Sequence, residues 1–269
     1  MPRFLIIFVF ALFFPQNEGC FQILNIAEKA AIIDVDDLGN IYTTFDGQLK
    51  MFNPGGKQML IFDDRKTGNI SAIDIKNPDR VLVFYKERYK IRILDGLFKQ
   101  WAEVNLTAEA GLFDVTLACL SADENIWVYS NNEKKLMKIS DKGDFITKSA
   151  IVDDITGTKT QPVFLREYNQ KIYLNIPRTG ILEFDNQANF IRIIPLKGLV
   201  NFCVADGKIC YVSGRNLKVY DIGSGMEQIT RLPDLTYIST MPDLHGNELL
   251  LYYADLNNVG VLSIPANQK

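Results

Sequence analysis

Histidine is almost missing from this chain: His245 is the only one in 269 residues. It reads as a turn residue beside Gly246, which leaves the Ser-His and Cys-His triads without their base and removes HExxH-type zinc chemistry. No GxSxG elbow and no Gly-rich phosphate loop occurs, and the four cysteines include no CxxC pair. An excess of charge of either sign is also lacking. With 29 Lys and Arg against 32 Asp and Glu, net charge −3 and pI about 5.4, nothing draws the chain in bulk to nucleic acid or to an anionic membrane. Apolar residues make up 47% of the chain and charged residues 23%, the balance of a globular protein with one large core.

Long hydrophobic runs are scarce as well. The one conspicuous run is Phe4 to Phe14, FLIIFVFALFF, ending at Pro15 and preceded by Arg3. It is too short to cross a bilayer core of about 30 Å as a helix, but it has the charge, length and position of a secretory signal, so residues 1–19 are expected to be an export signal and 20–269 the mature domain. Gly19-Cys20 is also the pattern of a lipidated cysteine, although Asn17 and Glu18 depart from the small or apolar residues such signals favour. A soluble periplasmic or secreted form is the default expectation, with Cys20 as the one route to an outer-membrane attachment.

What the chain has in abundance is a repeat. From Ala31 to Asp63, short alternating runs are joined by turns: AIIDVD, NIYTTF, QLKMFN and KQMLIFD. Asp46-Gly47 between Phe45 and Gln48 is a two-residue hairpin turn, because these residue types accept the positive φ it requires. The third run returns as KIRILD, KLMKIS, GILEFD, NLKVYD and VGVLSI, at steps of 42, 45, 45, 36 and 43 residues. The second returns in the same register as RVLVFY, NIWVYS, KIYLNI, KICYVS and ELLLYY. A period near 40 with four strands per unit predicts an all-β, six-bladed β-propeller of four-stranded antiparallel blades. The sixth unit lacks its fourth strand, and FQILNIA (residues 21–27) has no unit of its own, so the N-terminal strand is expected to close the last blade. The longest connections, 63–69, 102–114 and 151–162, share one face with the second-to-third-strand turns, and a helical turn is expected at Thr107–Ala110. Binding is sought on that face.

Several constellations invite a chemical reading. The first residues of the innermost strands, Asn69, Ser71, Asp114, Thr116, Gln161, Asn201 and Thr236 or Ser239, would surround a central channel. Of these, Asn69, Asp114, Gln161 and Asn201 are weak candidates for a Ca²⁺ ring, with only one carboxylate among them. The doublets Asp36-Asp37, Asp63-Asp64 and Asp153-Asp154 read as solvated turn residues and not as an acid/base pair. Lys86, Arg88, Tyr89, Lys90 and Arg92 form the sharpest charge run and are the candidate partner-binding residues, against an alternative as gatekeepers of an exposed hairpin. Tyr42, Tyr85, Trp127, Tyr129, Tyr173, Tyr211, Tyr252 and Tyr253 recur in second strands as packing between blades. Cys203 and Cys210 flank Asp206-Gly207 and face each other as a hydrogen-bonded pair, a register that favours two reduced core thiols over a bridge.

The stretch DDLGNIYTTFDGQLKMFNPGGK resembles NHL-like six-bladed propellers. GNISAIDIKNPDRVLVFYKERYKIRILDGLF, TLACLSADENIWVYSNNEKKLMKIS and PVFLREYNQKIYLNIPRTGILEFD are similar to a family of exported propellers from Bacteroidota, over Phe21 to Ile264. The resemblance implies fold and envelope compartment and carries over no functional residues. The expectation is therefore a non-catalytic, exported scaffold that binds a protein or another envelope component as a monomer within a complex, with no cofactor. The alternatives are a Ca²⁺-dependent lactonase-like hydrolase using the channel, or a sensor of small ligands or glycans.

Overall fold

The computed structural model describes residues 20–245 and 248–265, so the expected export signal over 1–19 lies outside the described residues. Six four-stranded antiparallel sheets follow one another along the chain as the blades of a propeller. Blade 1 runs Ile32–Val35, Ile41–Phe45, Gln48–Phe52 and Gln58–Asp63. Blade 6 runs Ser239–His245, Glu248–Ala254 and Val259–Ile264, and its outer strand is Phe21–Ile26 from the other end of the chain. Phe21 stands opposite Ser263 and Ile26 opposite Val259, which sets the two ends side by side and closes the ring. His245 pairs with Glu248 at the end of the inner strand, one position before the turn expected for it.

The repeated residues are turn chemistry. Asp46 and Gly47 have φ of 48° and 73°, and Phe45 pairs with Gln48 across them. A Cβ on Gly47 would lie 2.8 Å from Cα of Arg65, so backbone proximity as well as φ demands glycine. At the end of each third strand in blades 1–4 stands a short polar residue whose side-chain oxygen accepts the backbone N–H four residues on. These are Asn53 to Lys57 (2.9 Å), Asp95 to Lys99 (2.8 Å), Ser140 to Asp144 (3.0 Å) and Asp185 to Asn189 (2.8 Å). The third-to-fourth register slips at the same place in each of these blades.

Apolar packing lies between neighbouring blades, in six clusters. The second-strand aromatics are its largest pieces, with Tyr42, Tyr85, Trp127 and Tyr129 essentially inaccessible. Local details differ from expectation in part. Residues 106–110 form a turn with the helical bond from Glu109 N to the Asn105 carbonyl (2.9 Å), while the short α-helix among the described residues, Val152–Thr156, lies in the next connection, ended by Gly157 at φ 67°. The acidic doublets are only partly solvated: Asp37, Asp63 and Asp154 are exposed as expected, whereas Asp36 and Asp64 are buried, and Asp36 accepts from Leu38 N, Asn40 N, Asn40 Nδ2 and Tyr42 Oη.

Candidate functional site

Each inner strand starts on the face that carries the connections between blades (the loop face) and ends on the face of the first-to-second-strand turns (the turn face). One position of this strand lies opposite the third residue of each second-strand repeat. Asp34 faces Tyr42, Asp74 faces Leu82, Cys119 faces Trp127, Arg166 faces Tyr173, Cys203 faces Cys210 and Asp243 faces Leu250. These equivalent residues bring three carboxylates, one guanidinium and two thiols to the same tier around the axis.

Arg166 crosses that tier as a bar. Its Nη2 donates to Asp34 Oδ2 at 2.8 Å and its Nη1 to Asp74 Oδ1 at 2.8 Å, tying blade 4 to blades 1 and 2, and its guanidinium lies 5.4 Å from the Phe164 ring centre. All three charged groups are buried, with Arg166 6% exposed, Asp34 5% and Asp74 2%. Burial raises the Asp34 carboxyl above its ordinary range although Arg166 pulls it down; burial also works against the guanidinium, and Asp34 and Asp74 together hold it well above its usual value. Asp74 Oδ2 accepts Leu120 N at 2.9 Å, so the second carboxylate is also anchored in blade 3. Beside the bar, Glu167 accepts from Ser121 Oγ (2.7 Å), Trp127 Nε1 (2.7 Å) and Ala122 N (3.0 Å). Lys76 Nζ donates to the Glu167 carbonyl at 3.3 Å and sits over the Tyr168 ring.

Asp34 and Arg166 line both of the two cavities on the axis. The turn-face cavity, about 430 Å³, is walled by Asp34, Asp37, Lys76, Arg166, Asp206 and Asp243, with Cys203 and the inner strand of blade 6. The loop-face cavity, about 530 Å³, is walled by hydroxyls and apolar side chains, among them Ser71, Thr116, Phe164, Val200, Ile238 and Thr240.

Of the residues singled out in the sequence, Asn201, Ser71, Thr116 and Ser239 line the loop-face cavity. Asn69 and Gln161 are exposed on the connections before blades 2 and 4 and do not line it; Asp114, at φ 52°, accepts from Asn131 Nδ2 at 2.5 Å. Only Asn201 of the four proposed Ca²⁺ ligands therefore reaches the cavity, and it donates Nδ2 to the Thr240 carbonyl at 2.6 Å. Among the described residues no three His, Cys, Asp or Glu side chains are grouped to hold a metal ion.

The basic run sits on the loop face as expected, but much of its charge is answered from within. Arg92 pairs with Asp64 (2.7 Å) and Glu103 (2.9 Å), and Lys90 with Glu103 (2.7 Å). Lys86–Arg88 make a 3₁₀ turn closed by Tyr89 at φ 48°, and Arg88 Nε donates to the Thr67 carbonyl at 3.2 Å. The exposed side chains of Lys86 and Arg88 are the part left facing solvent. All four cysteines are free thiols, with Cys119, Cys203 and Cys210 buried. Sequence reasoning passed over Asp34, Asp74, Arg166 and Asp243. The signal for them was a position seven or eight residues before the third residue of each second strand, hidden because the six blades fill it with different residue types.

No protein-family model and no curated protein sequence matches the chain. Solved structures do. The WD40 domain of Pan2 from Neurospora crassa superposes with a TM-score of 0.62 at 13% identity, covering 93% of this chain and 96% of that one. A catalytically inactive H270A virginiamycin B lyase from Staphylococcus aureus, solved with quinupristin, gives 0.59 at 13% identity over 91% and 98%. A streptogramin B lyase gives 0.58 at 11% identity over 92% and 98%. At such identities the likeness speaks for the architecture alone: this chain is a six-bladed β-propeller.

Proposed function

We propose that this propeller is a non-catalytic binding scaffold, exported to the cell envelope, whose loop face docks a protein or other envelope component. The observation that carries this reading is how exposed apolar side chains divide between the two faces, apart from those on the outer strands, such as Trp101 and Phe190. Phe45, Phe113, Ile151, Val163, Val200 and Ile238 stand out on the connections and turns of the loop face, Val200 at 76% exposure, while the turn face exposes Leu38, Leu97 and Met226. An interface core is made of such residues with a polar rim around it. The buried ionised groups along the axis are held in bonds to one another and to backbone, as Arg166 and Glu167 illustrate, which suits a support more than an acid/base pair. Kinship with exported propellers of Bacteroidota belongs to the same reading.

Photo-crosslinking residues placed at Val200 and Phe113, compared with Leu38 and Met226, test it in native envelopes. The expected result is one specific adduct from the loop-face positions that Val200→Asp abolishes. Equal adducts from both faces, or none, would overturn the reading. Mass spectrometry of the mature protein tests export: the chain is expected to begin at or near Cys20, and a retained residue 1 would exclude it.

A further inference from the structure

The loop-face cavity has two kinds of wall. Along the axis, blades 2, 3, 5 and 6 present Ser71, Thr116, Asn201 and Thr240 above Arg166. To one side, a lobe between blades 5 and 6 is walled by Val212, Leu235, Tyr237 and Ile238. Polar side chains near the starts of the inner strands and apolar ones from the junction of blades 5 and 6 therefore line one space of about 530 Å³, inside the usual range of small-molecule pockets, roughly 300–1,000 Å³.

Thr116 is placed there by an irregularity. The pairing of inner and second strands is regular in five blades; in blade 3 the register shifts between Val115 and Leu117, and Thr116 drops out of the ladder. A bulge in an inner strand gives up pairing and re-aims one side chain. The re-aimed hydroxyl makes no hydrogen bond among the described residues, and neither does that of Thr240. The charges tell what is excluded. Asp34, Arg166 and Arg215 are the only ionised side chains in the walls, and each is matched, Arg215 by Asp234 at 2.9 Å. A charged ligand would leave water for a site with no counter-charge to offer.

We propose that the loop-face cavity binds a neutral, amphipathic small molecule, with its hydroxyl- or carbonyl-bearing end among Thr116, Asn201 and Thr240 and its apolar end in the lobe between blades 5 and 6. The site is the interior of the cavity and does not require the macromolecular docking proposed for the rim.

Octyl β-glucoside below its micelle concentration is the probe, titrated by calorimetry against glucose, octanoate and octyltrimethylammonium. The neutral amphiphile is expected to bind, with both charged chains and the tail-less sugar weaker by at least about tenfold. Thr116→Val, which keeps the shape and removes the hydroxyl, is expected to weaken binding about three- to tenfold. Val212→Trp, which fills the lobe, is expected to abolish it; Leu235→Lys puts a charge there from a more exposed position and serves if the tryptophan variant does not fold. Ile191→Ser on the outer strand of blade 4 is expected to change nothing, which separates the cavity from adsorption on exposed edges. The proposal falls if octyl glucoside does not bind, if a charged chain binds equally well, or if Thr116→Val and the lobe variants bind normally while folded.

Discussion

The two mouths of the channel are built from opposite ends of the same six strands, yet they offer opposite chemistry. On the turn face the walls carry Asp34, Asp37, Asp206 and Asp243 with Lys76 and Arg166; on the loop face they carry hydroxyls, an amide and apolar side chains. The Arg166 bar, shared by both, divides them. The contrast teaches that in a propeller the strand ends are independent design surfaces. Charge accumulates where the inner strands end and can be paired around the axis, and apolar surface accumulates where long connections can present it to a partner.

The strongest way to break this division is to remove the bar. Arg166→Met leaves Asp34 and Asp74 facing each other without a cation, and is expected to lower stability by about 3–5 kcal/mol in chemical denaturation, the cost of an uncompensated buried charge. The triple variant Arg166→Met, Asp34→Asn, Asp74→Asn is expected to recover much of that loss, because the pair's cost of burial disappears along with its attraction. A single variant as stable as wild type would mean that the bar does not form in solution.

Acid titration sharpens the contrast between the axial carboxylate and one on the outer part of a blade. The Asp34 pKa is raised by burial, so the folded state holds this proton more tightly than the unfolded chain, and acidification through the raised value works in favour of the fold. Glu183 shows the reverse sign. Burial pushes it up, but Lys171 at 2.8 Å and Arg192 at 2.7 Å outweigh burial and leave it below the ordinary range. Its contribution is present above the unfolded glutamate value of about 4.3 and is lost as pH falls through the depressed one. Asp34→Asn is therefore expected to steepen the acid-side loss of stability, and Glu183→Gln to flatten it, measured as denaturation midpoint against pH. The same direction of change in both variants would contradict the assignment.

Smaller effects distinguish the surfaces. Val200→Asp and Phe113→Asp are expected to change stability by no more than about 0.5 kcal/mol, since both side chains already face water, while removing whatever docks on the loop face. Smallest of all is the thiol contrast. Burial raises the Cys119 thiol, and the Cys210 partner together with burial raises Cys203, whereas Cys20 is part-exposed, so a native-state thiol reagent is expected to label Cys20 first and the other three only on unfolding.

Much of the architecture was legible in the sequence because it is local. Two strand series in one register, Asp-Gly and Asn turns that accept positive φ, and a leftover strand at Phe21–Ile26 together require a closed six-bladed ring, and each is decided by neighbours within a few residues. The aromatic positions of the second strands were legible for the same reason. The basic run was visible but its meaning was not: Asp64 and Glu103, which answer Arg92 and Lys90, come from the connection before blade 2 and from the outer strand of blade 2. Asp36 and Asp64 looked solvated because a turn residue usually is; here Asp36 takes bonds from Asn40 and Tyr42, and Asp64 is held by Thr67 and Arg92.

The sequence by itself determined the number of blades, their strand order and how the ring closes, since hydrogen-bonded hairpins and their turns are short-range. Only the tertiary structure decided that Arg166 meets Asp34 and Asp74, residues 132 and 92 positions away in the chain, because their meeting depends on the ring's curvature bringing blade 4 across to blades 1 and 2. It likewise decided how Thr116, expected at the channel from its place at the start of an inner strand, is aimed there: one slipped register in that strand leaves no mark in composition or period.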